Sequence, residues 1–370
     1  MSFKVVGGKF NFGVDIDDMW RYAGIPDPPS VIVPFLLRKK THNGRFSLPA
    51  TDPKLRKYEV GDFVGSLLKE ENGHEPRRLS RAVASFLKKN GIDYVRCWFP
   101  WNFFETSEEG VYEFPLDDFV KEFDEAGIGI MAVIGDGYNR FVPENIKTSN
   151  VEAYAKRLVR ASREIVRHYK GRVRAWQIEN EPNGWIGQGL ADWRTGLIWL
   201  DRNNQKVILG ALSHMVREEY RRAKLVINID YIGLKVDWKW YSQYCDIIGV
   251  DSYPSYVNPR NTDMPKIAEI ATRAGMETGF PVYMIETGYP TGPKCIGFNE
   301  ARQAEYVASA CKRAASCDSI SGMGIYRLAD SYWKSFPPQE DYFGLLDVQG
   351  RAKPAWNEYI RQIRKAKGHY

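Results

Sequence analysis

The ten residues Val173-Arg174-Ala175-Trp176-Gln177-Ile178-Glu179-Asn180-Glu181-Pro182 pass from an apolar, strand-like run into a loop carrying two carboxylates and a proline. Proline has no N–H to give a sheet ladder, so strand pairing ends there. An amphipathic stretch at 151–169, with apolar residues near helical spacing, precedes the run. Helix, strand and acidic loop thus form one unit.

The same unit recurs along the chain. Short β-rich runs lie at 10–15, 94–98, 128–134, 173–178, 225–229, 247–250, 282–285 and 323–326, and further amphipathic stretches at 79–89, 116–126, 264–274 and 302–315. Strands alternating with helices argue for a parallel sheet, and eight repeats argue for its closure into a (β/α)8 TIM barrel. An open, doubly wound sheet is the alternative; it usually carries a Gly-rich phosphate loop, which this sequence does not show.

In a closed barrel the carboxyl ends of all strands share one face, so residues distant in sequence meet there. Glu181 ends the fourth run, and Glu286, within Tyr283-Met284-Ile285-Glu286-Thr287-Gly288, ends the seventh. Paired carboxylates are what cleavage of a glycosidic bond requires: one gives a proton to the leaving oxygen, the other attacks or stabilises the anomeric carbon. Each glutamate also has a plainer reading. Glu181 is equally a solvated loop carboxylate with Glu179 as its rival, and Glu286 a buried glutamate paired with an arginine. In a regular strand 179 and 181 face one side and Asn180 the other, so both Asn180 and Glu181 reach a ligand only if the strand end is bulged. For Glu286 the two readings agree, because a nucleophile must stay ionised and Arg96, near the end of the second run, is a suitable cation.

At 370 residues and 44% hydrophobic, the chain suffices for a single barrel domain over 1–370. Residues 25–76 are too long for a simple connection after the first strand; they are expected to fold over one edge of the barrel mouth or to form a homo-oligomer contact. The net charge of +6, from 52 basic and 46 acidic side chains, is spread along the chain. It comes with no nucleic-acid reader motif. Cys97, Cys245, Cys295, Cys311 and Cys317 form no CxxC pair and read as reduced. Residues 1–15 lack the apolar core of a signal peptide and no run approaches a membrane span, so a cytoplasmic chain is expected, or a secreted one if a presequence was removed. His42, His74, His168, His214 and His369 are scattered without HExxH, and Ser213 and Ser252 lack a nucleophile elbow. Neither a metal nor an organic cofactor is expected.

Beyond the two glutamates, Val95-Arg96 is followed by Trp98 and Trp101, residues 246–254 read Asp-Ile-Ile-Gly-Val-Asp-Ser-Tyr-Pro, and 325–333 end in Trp333. Residues 342–347 and 353–356 follow as a closing segment. Together these resemble the retaining β-glycosidases of glycoside hydrolase clan A, the mannanase- and glucanase-like barrel enzymes, over most of the chain from Arg96 onward. The resemblance implies Glu181 as acid/base, Glu286 as nucleophile, Asn180 as donor to a sugar 2-hydroxyl, and Arg96 and Tyr253 as orienters of Glu286. It further implies Trp333 as a platform under the sugar, with Trp98 and Trp101 in the carbohydrate site. Hydrolysis, transglycosylation and non-catalytic glycan binding share this scaffold, and the sugar itself is not named by it.

Overall fold

The structure, a computed structural model, describes residues 10–16, 76–106, 108–135, 150–183, 201–231, 236–256, 258–261, 265–330, 338–348 and 350–368. Eight parallel strands close into a barrel in chain order: β1 Asn11–Ile16, β2 Tyr94–Trp98, β3 Gly129–Ile134, β4 Ala175–Ile178, β5 Lys224–Asp230, β6 Ile247–Ser252, β7 Val282–Thr287 and β8 Ile320–Ile325. Closure is made by β1, which pairs β2 on one side and β8 on the other. The TIM barrel expected from the strand–helix alternation is the fold observed.

Seven longer helices surround it among the described residues: α1 Pro76–Lys89, α2 Asp117–Glu125, α3 Val151–Tyr169, α4 Arg202–Glu219, α5 Pro265–Thr278, α6 Glu300–Ala315 and α7 Pro354–Ala366. Between β5 and β6 the described residues hold a short helical turn, Trp238–Tyr241, followed by a 3-10 turn at Ser242–Tyr244. Local chemistry starts several helices. Asn150 accepts from the Glu152 and Ala153 N–H groups at α3, and Asp201 from Asn203 and Asn204 at α4, satisfying donors that have no partner inside the helix.

The apolar material forms two layers. Between strands and helices lies the main core, which holds outward-facing strand residues such as Val95, Cys97, Ile227 and Val250. Inside the barrel is a smaller cluster of Tyr94, Met131, Ala175, Val226, Ile247, Tyr283 and Ile285. Two tyrosines fit within so narrow a ring because glycines face them. A Cβ on Gly13 would lie 2.3 Å from the Tyr94 ring, and one on Gly322 2.4 Å from that of Tyr283. The two rings meet edge to face, centroids 6.1 Å apart, and plug the barrel below its mouth.

Above this plug the inward positions turn polar. Asp15 faces Arg96 in the β1–β2 register, and Asp230 and Asp251 face each other across β5 and β6. The β6–β7 ladder shifts register between Val250 and Asp251, so that Asp251 pairs with Glu286. Ile285 packs into the inner cluster while its neighbour Glu286 meets Arg96; consecutive side chains on one face are what such an irregularity permits. Residues 25–75 of the long segment after β1, with the roles expected for them, lie outside the described residues.

Candidate active site

Arg96, inward-facing on β2 and almost fully buried, is the centre of the mouth. Its Nε donates to Gln177 Oε1 at 2.7 Å and its Nη2 to Asn180 Oδ1 at 2.6 Å. Nη1 serves two carboxylates, Asp15 on β1 and Glu286 on β7, the latter at 2.6 Å. Burial disfavours the guanidinium charge, but Glu286, Asp15 and Asp251 around it more than compensate and push its pKa above the ordinary arginine value. One planar cation thus fixes four side chains from the ends of three strands, β1, β4 and β7.

Glu286 receives a second donor. Tyr253, just beyond β6, gives its O–H to Glu286 Oε2 at 2.6 Å. Burial and the Glu286 charge push the Tyr253 phenol well above its ordinary pKa, which keeps that proton in place. Both carboxylate oxygens are therefore held, one by a cation and one by a phenol. Arg96 and Tyr253 both touch Glu286.

The end of β4 is irregular as the sequence requires. Glu179 and Glu181 both adopt left-handed backbone, at φ 62° and 44°. Such conformations cost a non-glycine residue on the order of 1–2 kcal/mol each and persist only where surroundings hold them. The Glu179 N–H still reaches the Ile134 carbonyl at 2.7 Å, and Glu179 Oε1 accepts from the Asn180 N–H at 3.0 Å. Glu179, the rival carboxylate, is buried at 1% exposure with that oxygen turned onto the backbone, whereas Glu181 is only partly buried. The turn swings Asn180 inward to Arg96, and Asn180 Nδ2 lies 3.3 Å from Glu181 Oε2. A continuous hydrogen-bonded path runs from Glu286 through Arg96 and Asn180 to Glu181.

Four buried polar side chains beneath the mouth were not singled out in the sequence: Asp15, Gln177, Asn228 and Asp251. Their one signal is a polar residue inside an apolar strand, since a group buried there needs a partner. Asp251, wholly buried, is pushed well above the ordinary carboxyl range by burial, then by Glu286 and Glu181. Asp230, at the end of β5, is pushed up to about 7 by burial and by Glu286. Its sign is opposite to that of a salt-bridged aspartate. Between its ordinary 3.8 and about 7 the folded chain holds a proton that the unfolded chain has lost, so stability falls as pH rises through that window. Asp230→Asn is expected to melt higher than wild type at pH 8, by roughly 2–4 kcal/mol at most, and to gain nothing at pH 4; thermal melts at both pH values check this.

Aromatic rings wall one side. Tyr253 meets Tyr326 and Phe343 edge-on at centroid distances of 5.9 and 5.4 Å, and Tyr256 stacks on Phe343. Glu340 accepts from the hydroxyls of Tyr256 and Tyr326. Trp98 ends β2 on the face of Arg96 but is only 5% exposed. Trp101 departs from the expected role. It is buried at 2% exposure with its indole N–H on Glu105, because the turn Trp101–Phe104 tucks it into the core, so no face is open to a sugar. Trp333 lies outside the described residues.

No helix among the described residues is long and apolar enough to cross a membrane, and no group of three or more His, Cys, Asp or Glu among them is placed to hold a metal ion. No protein-family model and no curated protein sequence matches the chain. Solved structures do match its fold. A GH5_18 protein from Streptomyces cattleya in complex with GlcNAc aligns at TM-score 0.68 and 15% identity, over 80% of this chain and 76% of that one. A GH5_18 variant from Bifidobacterium longum in complex with Manb1-4GlcNAc aligns at TM-score 0.61 and 15% identity, over 78% and 73% of the two chains. A family 39 glycoside hydrolase from Bacteroides cellulosilyticus aligns at TM-score 0.57 and 16% identity, over 86% and 66%. At these identities the likeness is one of fold.

Proposed function

We propose that the chain is a retaining glycoside hydrolase of the clan A type, cleaving a β-linked glycoside or oligosaccharide by double displacement. The observation that carries this reading is the hydrogen-bonded path Glu286–Arg96–Asn180–Glu181 at the carboxyl end of the barrel. Glu286, with one oxygen held by Arg96 and the other by Tyr253, is oriented to attack an anomeric carbon. Glu181, partly open to the mouth, gives its proton to the leaving oxygen as the C–O bond breaks and a glycosyl ester forms on Glu286. Glu181 then takes a proton from water, which attacks the same carbon and frees Glu286, so configuration is kept overall. Asn180 Nδ2, beside Glu181, is the donor for a hydroxyl next to the reacting carbon.

The fold neighbours that hold GlcNAc and Manb1-4GlcNAc make β-mannosides and β-linked N-acetylglucosamine oligosaccharides the first substrates to try. The test is hydrolysis of a panel of aryl β-glycosides and β-linked oligosaccharides by wild type and Glu181→Gln. Cleavage is expected, with Glu181→Gln losing about 10²-fold or more in kcat/KM on glycosides with poor leaving groups and far less on dinitrophenyl glycosides, whose leaving group departs without a proton. Binding of the oligosaccharides without cleavage would replace this reading with a glycan-binding barrel.

A further inference from the structure

Asn228 lies in the interior of β5, fully buried among apolar strand residues, and every hydrogen-bonding position of its amide is used. Oδ1 accepts from Gln177 Nε2 at 2.7 Å and from the Glu181 backbone N–H at 2.9 Å. Nδ2 donates to Asn180 Oδ1 at 2.8 Å and to Asp251 Oδ2. Two lone pairs and two hydrogens are thereby spent, so the amide has one permitted orientation. Turning it over would set its NH2 against two N–H donors and its oxygen against two oxygens.

We propose that Asn228 is a positioning residue that fixes Glu181 for proton transfer, holding it by its backbone and through Asn180. The proposal rests on the acid/base reading of Glu181. The left-handed backbone at Glu181 needs a restraint, and the Asn228 oxygen meets its N–H. Asn180 is held in the same way: its Oδ1 accepts from Arg96 Nη2, Asn228 Nδ2 and Gln177 Nε2, which commits Nδ2 to the Glu181 side, 3.3 Å from Oε2. Asp251 completes the arrangement: its Oδ2 accepts from Asn228, and burial and the neighbouring Glu286 push its carboxyl toward the neutral form. Asn228 touches neither a reacting atom nor the open mouth. It acts only through its neighbours.

A buried amide that merely satisfies its surroundings would affect folding and every substrate alike, whereas one that aims an acid affects substrates according to how much proton they need. Asn228→Ala and Asn228→Asp are therefore compared with wild type on aryl β-glycosides of graded leaving-group acidity, after melting curves show which variants are folded. Asn228→Asp keeps side-chain size and the oxygen facing the Glu181 N–H but loses both donors, and it carries the test if Asn228→Ala does not fold. Expected is a fall in kcat/KM, which reports the first displacement, of roughly 10²-fold on glycosides with poor leaving groups and less than about threefold on dinitrophenyl glycosides, a steeper leaving-group dependence in the direction of Glu181→Gln. An equal fall in kcat/KM on all glycosides, or none, in a folded variant overturns the proposal. A wild type inactive on the whole panel removes the acid/base reading, and the proposal with it.

Discussion

Glu286→Ala is expected to lower hydrolysis by about 10⁴-fold or more, the scale of removing a covalent nucleophile, while leaving the chain folded. The loss follows from position: no other carboxylate receives both the Arg96 guanidinium, at 2.6 Å, and the Tyr253 phenol, at 2.6 Å, among the described residues. Folding survives because Arg96 keeps Asp15, Gln177 and Asn180, so its buried charge is not stranded. Removing the Glu286 charge also relieves Asp251 and Asp230, both of which it pushes toward protonation. The alanine leaves room for a small anion where the carboxylate stood. Azide should therefore restore part of the turnover on dinitrophenyl glycosides and yield a glycosyl azide of inverted configuration. Rates with and without azide, and the product's anomeric signal, check this; unchanged hydrolysis in the variant would remove Glu286 from the mechanism.

Arg96→Lys is expected to reduce kcat/KM by about 10²-fold or more although it preserves the charge. An ammonium is a compact point charge, whereas the guanidinium here distributes three nitrogens over Gln177, Asn180 and the Asp15–Glu286 pair. A lysine can neutralise the two carboxylates but cannot hold Asn180 as well, so Glu286 and Glu181 lose their shared anchor. Arg96→Met goes further and leaves two acidic groups buried without their cation, at a cost of roughly 3–5 kcal/mol. Urea unfolding of both variants beside kcat/KM separates the effects: the lysine variant should be folded and slow, the methionine variant slow and markedly less stable. A lysine variant as active as wild type would show that charge alone, not the fork, is what the site needs.

The fold was legible because each strand buried on both faces reads as an apolar run. Tyr94–Trp98 and Val151–Tyr169 were bounded to the residue. The misses have physical causes. β8 begins at Ile320, three residues before the sequence suggested, because Ser321 and Gly322 are poor strand formers; Gly322 is there to admit the Tyr283 ring, a demand made by another strand. β4 begins at Ala175 rather than Val173, which is drawn into a bridge with Lys170 at the end of α3.

The candidate site was legible in its chemistry and less so in its support. Glu181, Asn180 and Glu286 announce themselves as polar groups where a strand yields to a loop, and the need for an irregular strand end was readable from the alternation rule. Gln177 and Asn228 are amides within strands, and nothing local says whether such a group meets a partner or water. Their roles depend on which strands lie side by side: Asn228 reaches Asn180 because β5 is next to β4, 48 residues away in sequence. Trp101 failed for the converse reason, since a tryptophan near a strand end serves a platform and a core equally well until the following turn sets its direction.

The most direct test of the mechanism is the anomeric configuration of the first product, followed by proton NMR from the moment wild-type enzyme meets an aryl β-glycoside that it cleaves. Double displacement through Glu286 predicts the β anomer first, with the α anomer growing in later by mutarotation. An α anomer appearing first would mean a single displacement by water and would contradict the account of Glu286 as a nucleophile.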